Sequence, residues 1–234
     1  MTMQPAEEDY DNSVFKLKSY WDERFQKEEQ YDWLVKYDEL EQYLSAHLTD
    51  RNARILVLGC GNSTFSSDLY DHGYKNITNI DFSEVCIERM QLKHSNSRPD
   101  MSWVTMDMTE LTFDDESFDI VIDKASMDAI LVDEGDVWDP EPETIALVDK
   151  MNLGISRVLK KGGKFIQITF AQPHFRTKYL MAQRVLQFEC SPFESLKGYC
   201  KRYSWNMSHV SVNPKIGCIS YYMYYMVKEA EAES

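Results

Sequence analysis

Three observations predict an open, doubly wound α/β sheet in a single domain. Short apolar runs recur between residues 54 and 169, and such runs suit strands that are buried on both faces of a parallel sheet. Amphipathic segments separate the runs, which is the alternation expected of βαβ units. The length of 234 residues suits one large domain with a sizeable core, because two full domains would be cramped.

Five predicted strands and two predicted helices carry this fold. The strands are residues 54–58, 77–80, 101–105, 118–123 and 163–169. The helix predicted at residues 83–90 begins with serine at the N-cap position, where a hydroxyl accepts from free backbone N–H groups. The helix predicted at residues 144–160 carries an apolar stripe and ends before Gly162 and Gly163, which let the chain turn.

The C-terminal part of the chain predicts an antiparallel hairpin at the far edge of the sheet. Residues 201–212 alternate between large apolar and polar side chains, and residues 218–227 are rich in tyrosine and methionine. The Pro-Lys-Ile-Gly sequence at 214–217 suits the turn between them.

One domain is expected over residues 14–228. Residues 1–13 are acidic and poor in large apolar side chains, so they are predicted to form a flexible arm. Residues 229–234 are predicted to form a flexible tail for the same reason.

The charge balance argues against several classes of function. The chain has 25 lysine and arginine residues against 39 acids, a formal charge of −14, whereas a nucleic-acid-binding protein is expected to present a basic face. No apolar run approaches the roughly 20 residues of a membrane span. We therefore expect no direct nucleic-acid contact and no membrane contact. We also expect a monomer.

Cysteine and histidine usage predicts reduced thiols and no metal site. The five cysteines include no Cys-x-x-Cys pair, and none of the five histidines has metal-ligand spacing with another histidine or cysteine. The polar N-terminal sequence differs from secretory signals and transit peptides, so we expect the cytoplasm, with the nucleus as a second compartment. The cysteines are Cys60, Cys86, Cys190, Cys200 and Cys218.

The loop after the first strand is the strongest candidate for a cofactor site, because open α/β sheets bind ligands beyond the carboxyl ends of their strands. Residues 58–63 read Leu-Gly-Cys-Gly-Asn-Ser, and Gly59 and Gly61 allow the backbone to approach a ligand closely. The dinucleotide fingerprint requires a third glycine, but the chain has Thr64 there. Asp81 follows about 20 residues later, where an acid binds ribose hydroxyls or caps the next helix.

Two further loops add polar candidates. Asp107 could accept a hydrogen bond from an adenine amino group, with Phe82 or Met108 packed on the faces of the ring. Asp123 and Lys124 end a buried strand. Two charges there indicate either a functional role or a local ion pair.

Two classes of enzyme fit this pattern. An NAD(P)-dependent oxidoreductase would explain the glycines and the acid, but the sequence lacks the third glycine, a separate substrate domain and an evident catalytic set. An S-adenosylmethionine-dependent methyltransferase is favoured, because its cofactor has a ribose and an adenine but no pyrophosphate. A non-catalytic module with the same fold is the third alternative, and the intact glycines and acid argue against it.

More specific motifs resemble a known family. Residues 55–63, Asp81 and the paired glycines at 162–163 resemble the class I, seven-stranded methyltransferases. The sequences at 20–25, 31–34, 118–124, 127–130 and 173–176 resemble the methyltransferase-like 13 group, which includes lysine methyltransferases that act on translation elongation factor 1-alpha. The matches cover most of the chain. That group usually has Gly-Thr-Leu where residues 125–127 read Ala-Ser-Met.

The resemblance implies a sheet order of 3-2-1-4-5-7-6 and S-adenosyl-L-methionine as the cofactor, with S-adenosyl-L-homocysteine as its product. It also implies that a helical segment at residues 14–50 closes over the cofactor through Trp21, Phe25 and Trp33; plain core packing is the alternative. The cofactor contacts expected from the strand-end loops are Gly59, Cys60, Gly61, Asn62, Asp81, Phe82, Asp107, Met108, Asp123 and Lys124.

The resemblance also implies a lysine of elongation factor 1-alpha, or of a similar basic protein, as the methyl acceptor, with a small molecule as the alternative. A lysine amine has an unperturbed pKa of about 10.4, so it must lose a proton before attack. The enzyme chiefly has to orient and desolvate it, and we assign no catalytic base. Asp123 and Asp128 are candidates for steering the ammonium group. His174 either lines the acceptor site or ties its loop.

An acidic stretch lies beside the predicted methyl donor. Residues 125–144 contain seven acids and no lysine or arginine. Such a stretch is either a solvated loop or a docking face for a basic protein, through long-range attraction. We expect the protein substrate to dock there. The acids are Asp128, Asp133, Glu134, Asp136, Asp139, Glu141 and Glu143.

Overall fold

The structure is a computed structural model that describes residues 11–182, 198–213 and 220–229. One central sheet separates two large clusters of buried apolar side chains. One cluster joins the sheet to the helices near the N-terminus, and the other joins it to the helices of the second half of the chain. The predicted α/β class is therefore confirmed.

All five predicted strands and both predicted hairpin segments form strands of the central sheet. Their bounds are β1 Ile55–Leu58, β2 Ile77–Asp81, β3 Ser102–Thr105, β4 Phe118–Lys124, β7 Leu159–Thr169, β9 Trp205–Val212 and β10 Tyr221–Lys228. Sequence patterns did not reveal an eighth strand, β8 Gly198–Cys200. Two short strands, β5 Gly135–Asp136 and β6 Asp139–Pro140, pair with each other in a separate two-stranded sheet.

The described residues also form a 3-10 helix and seven α-helices. Their bounds are Asn12–Lys16 for the 3-10 helix, then α1 Lys18–Lys27, α2 Tyr37–Leu44, α3 Phe65–Asp71, α4 Glu84–His94, α5 Ser126–Leu131, α6 Pro142–Val158 and α7 Pro173–Leu180. None of the helices described is long and apolar enough to span a membrane. The helical N-terminal segment thus begins two residues before the predicted domain start at residue 14.

The sheet order is β3-β2-β1-β4-β7-β10-β9-β8. The first five strands run parallel, and the last three are antiparallel to their neighbours. Strand β10 inserts between β7 and β9, which is the 7-6 inversion that the family resemblance implied, while β8 extends the edge by one strand. The predicted turn at 214–217 lies outside the described residues.

The junction between α6 and β7 differs from the prediction. The helix was expected to reach residue 160, but it ends at Val158, and Leu159 already pairs with Phe118 of β4. Gly162 has φ +76°, and the register shifts between Phe118 and Ile120. Gly162 was expected to let the chain turn at the end of the helix. It lies instead within β7, where its left-handed conformation accommodates the irregular pairing with β4.

Helix α4 begins as predicted. The Ser83 side chain accepts a hydrogen bond from the Cys86 N–H at 3.2 Å. This cap begins the helix immediately after the end of β2. The strand end and the helix start are thereby held in one short loop.

Ala125 connects β4 to α5 in a strained conformation. Its φ is +72°, a left-handed value that costs a residue with a Cβ about 1 kcal/mol. This is the position where the methyltransferase-like 13 group usually has glycine. Alanine in place of glycine at position 125 therefore puts a residue with a Cβ in a left-handed conformation.

Replacing Ala125 with glycine is expected to raise the free energy of unfolding by about 1 kcal/mol, since glycine adopts φ > 0 without that strain. Urea unfolding measures the change. Ala129→Gly is the matched control, because Ala129 lies within α5 and its loss should destabilise the protein by about 1 kcal/mol. A decrease in the free energy of unfolding of both variants would contradict the strain at Ala125.

Candidate active site

A large cavity, with a volume of about 1110 Å³, opens at the carboxyl ends of the parallel strands. One side of its wall consists of residues 59–63, 81–82 and 106–109, together with aromatic residues of the N-terminal segment; we call it the glycine-loop side. The opposite side consists of residues 128–134, 170–171 and 175–176; we call it the α7 side. Parallel topology brings these distant segments together, because the loops after parallel strands emerge at one edge.

The glycine loop requires glycine at its first position. Gly59 has φ +52°, and a Cβ there would lie 2.3 Å from Ser126 Oγ. The Ser126 hydroxyl donates to the carbonyl oxygens of Leu58 and Gly59, at 3.0 and 3.1 Å. The first residue of α5 therefore holds the end of β1 against the end of β4, which leaves no room for a side chain.

Asp81 is the buried acid of the glycine-loop side. Its carboxylate accepts hydrogen bonds from the backbone N–H of Gly61 at 3.0 Å and of Ser83 at 2.9 Å. Burial raises its pKa to about 6, although both hydrogen bonds favour the ionised form. The acid thus links the two strand-end loops and also lines the cavity. The capping interpretation of Asp81 is wrong, because Ser83 is the N-cap of α4, and the ribose interpretation stays a prediction.

Asp107, Met108 and Phe82 line the same side of the cavity. One oxygen of Asp107 accepts from both the N–H and the hydroxyl of Thr109, at 2.8 Å each. This arrangement orients the carboxylate at the end of β3. Phe82 and Met108 offer apolar surface beside it, and their predicted packing on an adenine ring stays a prediction.

Five aromatic side chains of the N-terminal segment form a group next to the glycine loop, where a Cβ at Gly61 would lie 3.6 Å from the Phe25 ring. Trp21 stacks on Phe25 with ring centroids 5.5 Å apart, and Trp33 meets Trp21 edge-on at 6.1 Å. All five line the cavity, which supports the predicted closure of this segment over the site. We call them the aromatic cluster: Phe15, Trp21, Phe25, Tyr31 and Trp33.

A buried ion pair attaches this segment to the sheet. Lys124 Nζ lies 3.8 Å from Asp32 Oδ1, and the two side chains are only 6% and 5% exposed. Lys124 also donates to the carbonyl oxygen of Trp33 at 2.9 Å, while Asp32 accepts from the hydroxyls of Ser63 and Thr64. Burial lowers the pKa of Lys124 to about 8. Lys124 therefore contacts the segment above the cavity as well as lining the cavity itself.

Two predicted site residues do not line the cavity. Asp123 is fully buried behind the wall. Its oxygens accept from the backbone N–H groups of Ser126 and Met127 and from the Gln167 amide, so it holds the start of α5. His174 packs against Phe175 and stacks on Trp138, outside the cavity wall. Neither residue is placed to contact a cofactor or an acceptor.

Cys60 and Cys86 lie beneath the glycine loop, and both thiols are free. Burial raises the pKa of the Cys60 thiol, which keeps it protonated. Their sulfur atoms and an oxygen of Asp81 lie within 4.8 Å of one another. Cys60 and Asn62 also line the cavity. Their cofactor contacts and the absence of a metal site both stay predictions.

Sequence reasoning missed three polar residues that the structure brings to the site. Asp32 belongs to the Tyr-Asp-Trp-Leu motif, and Arg176 ends the Pro-His-Phe-Arg motif. Thr169 is the last residue of β7. A polar residue at a strand end is the signal that could have found Thr169, but only the fold identifies its partners.

Fold and site together define a class of protein. The chain is a nucleoside-cofactor-binding protein with the doubly wound sheet and antiparallel last strands of class I methyltransferases. A family model described as a methyltransferase domain matches residues 55–163. The chain resembles the Burkholderia thailandensis 1,6-didemethyltoxoflavin-N1-methyltransferase, solved with bound S-adenosylhomocysteine. The TM-score is 0.55 at 14% identity, covering 98% of this chain and 94% of that one, which supports the fold.

Curated relatives identify the family. Mouse EEF1A lysine methyltransferase 4 is 36% identical over 183 residues, which cover 77% of this chain and 71% of the relative. The eEF1A lysine and N-terminal methyltransferase of Bos taurus is 42% identical over 161 residues, 68% of this chain but only 22% of that protein. The chain belongs to the family of S-adenosylmethionine-dependent methyltransferases that includes EEF1A lysine methyltransferase 4. The predicted family and the predicted cofactor are confirmed.

The cavity residues fit that cofactor. Asp81 offers a carboxylate to ribose hydroxyls, Asp107 offers one to an adenine amino group, and Phe82 and Met108 offer apolar surface to the ring. The aromatic cluster lines the same cavity, where it can shield the cofactor from water.

Proposed function

We propose that this protein transfers a methyl group from S-adenosylmethionine to a lysine side chain of elongation factor 1-alpha or of a similar basic protein. The observation that carries the proposal is the cavity: a cofactor-binding glycine-loop side continues into an opposite side that is rimmed by exposed acids. The names of the relatives that cover most of this chain support the same acceptor.

The cofactor supplies a methyl group on a positively charged sulfur. The residues of the chain bind the cofactor, orient the acceptor amine and shield both from water. Gly59 and Asp81 hold the nucleoside end, and the aromatic cluster excludes water. A desolvated, well-oriented amine needs no dedicated base, because its proton can leave to solvent before it docks.

The acidic stretch supports a basic partner, although part of its charge is neutralised. Lys16 lies 3.6 Å from Asp133, and Lys178 lies 3.2 Å from Glu134. Trp138 lies between Asp136 and Asp139 in the chain, and its side chain, which is 61% exposed, adds aromatic surface beside these acids. Four acids of the stretch at 125–144 are exposed and form no salt bridge among the described residues: Asp136, Asp139, Glu141 and Glu143. We call these four the acidic rim.

Charge reversal of the acidic rim is expected to weaken protein methylation. The triple variant Asp136→Lys, Asp139→Lys and Glu141→Lys should raise the KM for the protein substrate about tenfold or more, because it replaces attraction by repulsion. Calorimetry should find an unchanged Kd for S-adenosylhomocysteine.

The matched control reverses three exposed acids outside the stretch at 125–144: Glu23 in α1, Glu88 in α4 and Asp114 in the loop before β4. It changes the net charge by the same amount, so it separates local docking from overall charge. An equal rise of KM in both triple variants would contradict docking at the acidic rim.

Incubation with radiolabelled S-adenosylmethionine and a cell extract tests the proposed function. We expect one main labelled protein, identified by mass spectrometry as elongation factor 1-alpha with a methylated lysine. Label found only in small molecules would refute a protein acceptor and favour the small-molecule alternative.

The cytoplasm is the compartment we propose for this reaction, and a monomer is the form. The described cysteines are all free thiols, which suits a reducing compartment. Cell fractionation and light scattering test these two points.

A further inference from the structure

Asp128, Thr169 and Arg176 form a buried polar cluster on the α7 side of the cavity. The residues come from α5, the end of β7 and α7. Thr169 Oγ1 donates to Asp128 Oδ1 at 2.7 Å. The Arg176 Nη2 group donates to the same oxygen and, at 3.2 Å, to the threonine hydroxyl oxygen. Both hydrogen bonds that the carboxylate accepts within the cluster therefore go to one oxygen, Asp128 Oδ1.

The other polar atoms of the pair have no partner. Asp128 Oδ2 and the Nε and Nη1 groups of Arg176 are buried and form no hydrogen bond among the described residues. The two side chains are only 8% and 3% exposed. A purely structural arginine–carboxylate pair usually closes in a two-pronged arrangement, and unpartnered buried polar atoms are costly.

Asp123 shows what a structural acid looks like in the same region. It lies five residues earlier and is equally buried, but both of its oxygens accept hydrogen bonds from protein groups. Asp128 keeps one oxygen free, and both Asp128 and Arg176 line the cavity. The difference between the two acids is therefore that Asp128, a residue of the cavity wall, keeps a buried carboxylate oxygen without a partner among the described residues.

We propose that Asp128 is the group that contacts the acceptor amine, and that Arg176 and Thr169 are its positioning residues. The inference rests on the proposed function and names the subsite that performs it. Asp128 Oδ2 accepts an N–H from the neutral amine. This contact turns the nitrogen lone pair away from the carboxylate and toward the methyl donor.

The charges of the pair suit a neutral amine better than an ammonium ion. The negative charge of Asp128 is offset by the guanidinium of Arg176 beside it, so the buried subsite carries no net charge to hold a cation. Burial itself disfavours the charged form of an amine. Phe170, Ala171 and Phe175 add apolar wall next to the pair.

The step balances without a proton acceptor in the protein. The nitrogen lone pair forms the new N–C bond while the C–S bond breaks, and the electron pair of that bond stays on sulfur. The cofactor leaves as a neutral thioether. The methylated nitrogen carries the positive charge and loses its proton to solvent after release.

Kinetics of Asp128→Asn with the identified protein substrate test the inference. We expect kcat to fall about 100-fold, since a hydrogen bond to a charged acceptor is lost, while the Kd for S-adenosylhomocysteine stays within about twofold. Asp119→Asn is the matched control. Asp119 lies on β4 and pairs with Lys160 at 2.7 Å, but it does not line the cavity, so its kcat should match the wild type.

Two further variants keep the test decisive if Asp128→Asn does not fold. Thr169→Val removes one donor and should lower kcat about tenfold. Arg176→Lys keeps the positive charge and should retain more kcat than Arg176→Met at equal cofactor affinity. A role confined to folding would instead lower thermal stability and leave kcat per folded molecule unchanged.

The outcomes separate this inference from the proposed function. If the wild type labels protein while Asp128→Asn and Thr169→Val keep a kcat within about threefold of it, the inference is overturned alone. If the wild type labels only small molecules, the proposed function is overturned as well. Lowered kcat with unchanged cofactor Kd supports the acceptor subsite.

Discussion

Asp81→Asn is expected to weaken cofactor binding about 100-fold, the largest effect of any substitution in the glycine-loop side. Charge-assisted hydrogen bonds are worth about 1.5–3 kcal/mol, and we expect this carboxylate to accept from the ribose hydroxyls. Asparagine has a single acceptor oxygen, whereas the backbone N–H groups of Gly61 and Ser83 each bond a different carboxylate oxygen. In the Asn variant one of these two backbone N–H groups would therefore face the side-chain NH2 group in place of an acceptor oxygen, and the loop would also lose its shape.

Calorimetry with S-adenosylhomocysteine measures this loss, with Asp119→Asn as the control. Circular dichroism should show an unchanged secondary structure in both variants. A Kd within threefold of the wild type for Asp81→Asn would contradict the ribose-binding role.

The pH dependence of binding provides a second readout for Asp81. Its pKa is raised to about 6 in the free protein, and ribose hydroxyls donate to the ionised form. Affinity should therefore be constant above pH 6 and weaken by up to tenfold per unit below it. Asp81→Asn should not show this decrease.

The same raised pKa acts in the opposite direction on stability. The folded protein binds this proton more tightly than the unfolded chain does. The contribution of Asp81 to stability is thus fully present below its unfolded pKa of 3.8, and it is lost as the pH rises through about 6.

Lys124→Met is expected to have the largest effect on stability. It leaves Asp32 as an unpaired buried charge, and breaking a buried pair from one side costs about 3–5 kcal/mol. For a domain of this size the loss corresponds to a fall in Tm of about 10 °C. The Trp33 carbonyl also loses its donor, so limited proteolysis should cut the segment around residues 28–36 faster.

A matched lysine and a double variant test the origin of this effect. Lys164 also donates to a backbone carbonyl, that of His47 at 3.0 Å, but no salt bridge found among the described residues includes it. Lys164→Met should therefore lower Tm by no more than a few degrees. The double variant Asp32→Leu, Lys124→Met should recover part of the loss, because it removes both charges. Equal Tm shifts for the two single lysine variants would refute the ion pair as the cause.

Local sequence patterns were sufficient for most of the fold. A strand that is buried on both faces leaves a continuous apolar run, and the runs at β1, β2, β4 and β7 were found for that reason. Strand β8 was not found, because a three-residue edge strand leaves no such run. The end of α6 was placed two residues too far, because pairing of Leu159 with β4 overrides its helical pattern.

The candidate site divides in the same way. Gly59 and Asp81 were identified from their positions at strand ends, where open α/β sheets bind their ligands. Asp123 and Asp128 could not be told apart from the sequence, since both are acids near the end of the same buried strand. Only the structure shows that both oxygens of Asp123 accept hydrogen bonds from protein groups, whereas Asp128, which lines the cavity, keeps one oxygen without a partner among the described residues.

The sequence by itself determined the fold class, the cofactor loop and the excess of acid beside it. These features depend on neighbouring residues, so a local pattern reveals them. The tertiary structure decided which charges remain unpaired: Lys16 and Lys178 neutralise two acids of the stretch at 125–144, and Arg176 reaches Asp128 across 48 positions. Such pairings arise only when the packed sheet brings distant segments together, because an ion pair depends on distance in space and not on separation along the chain.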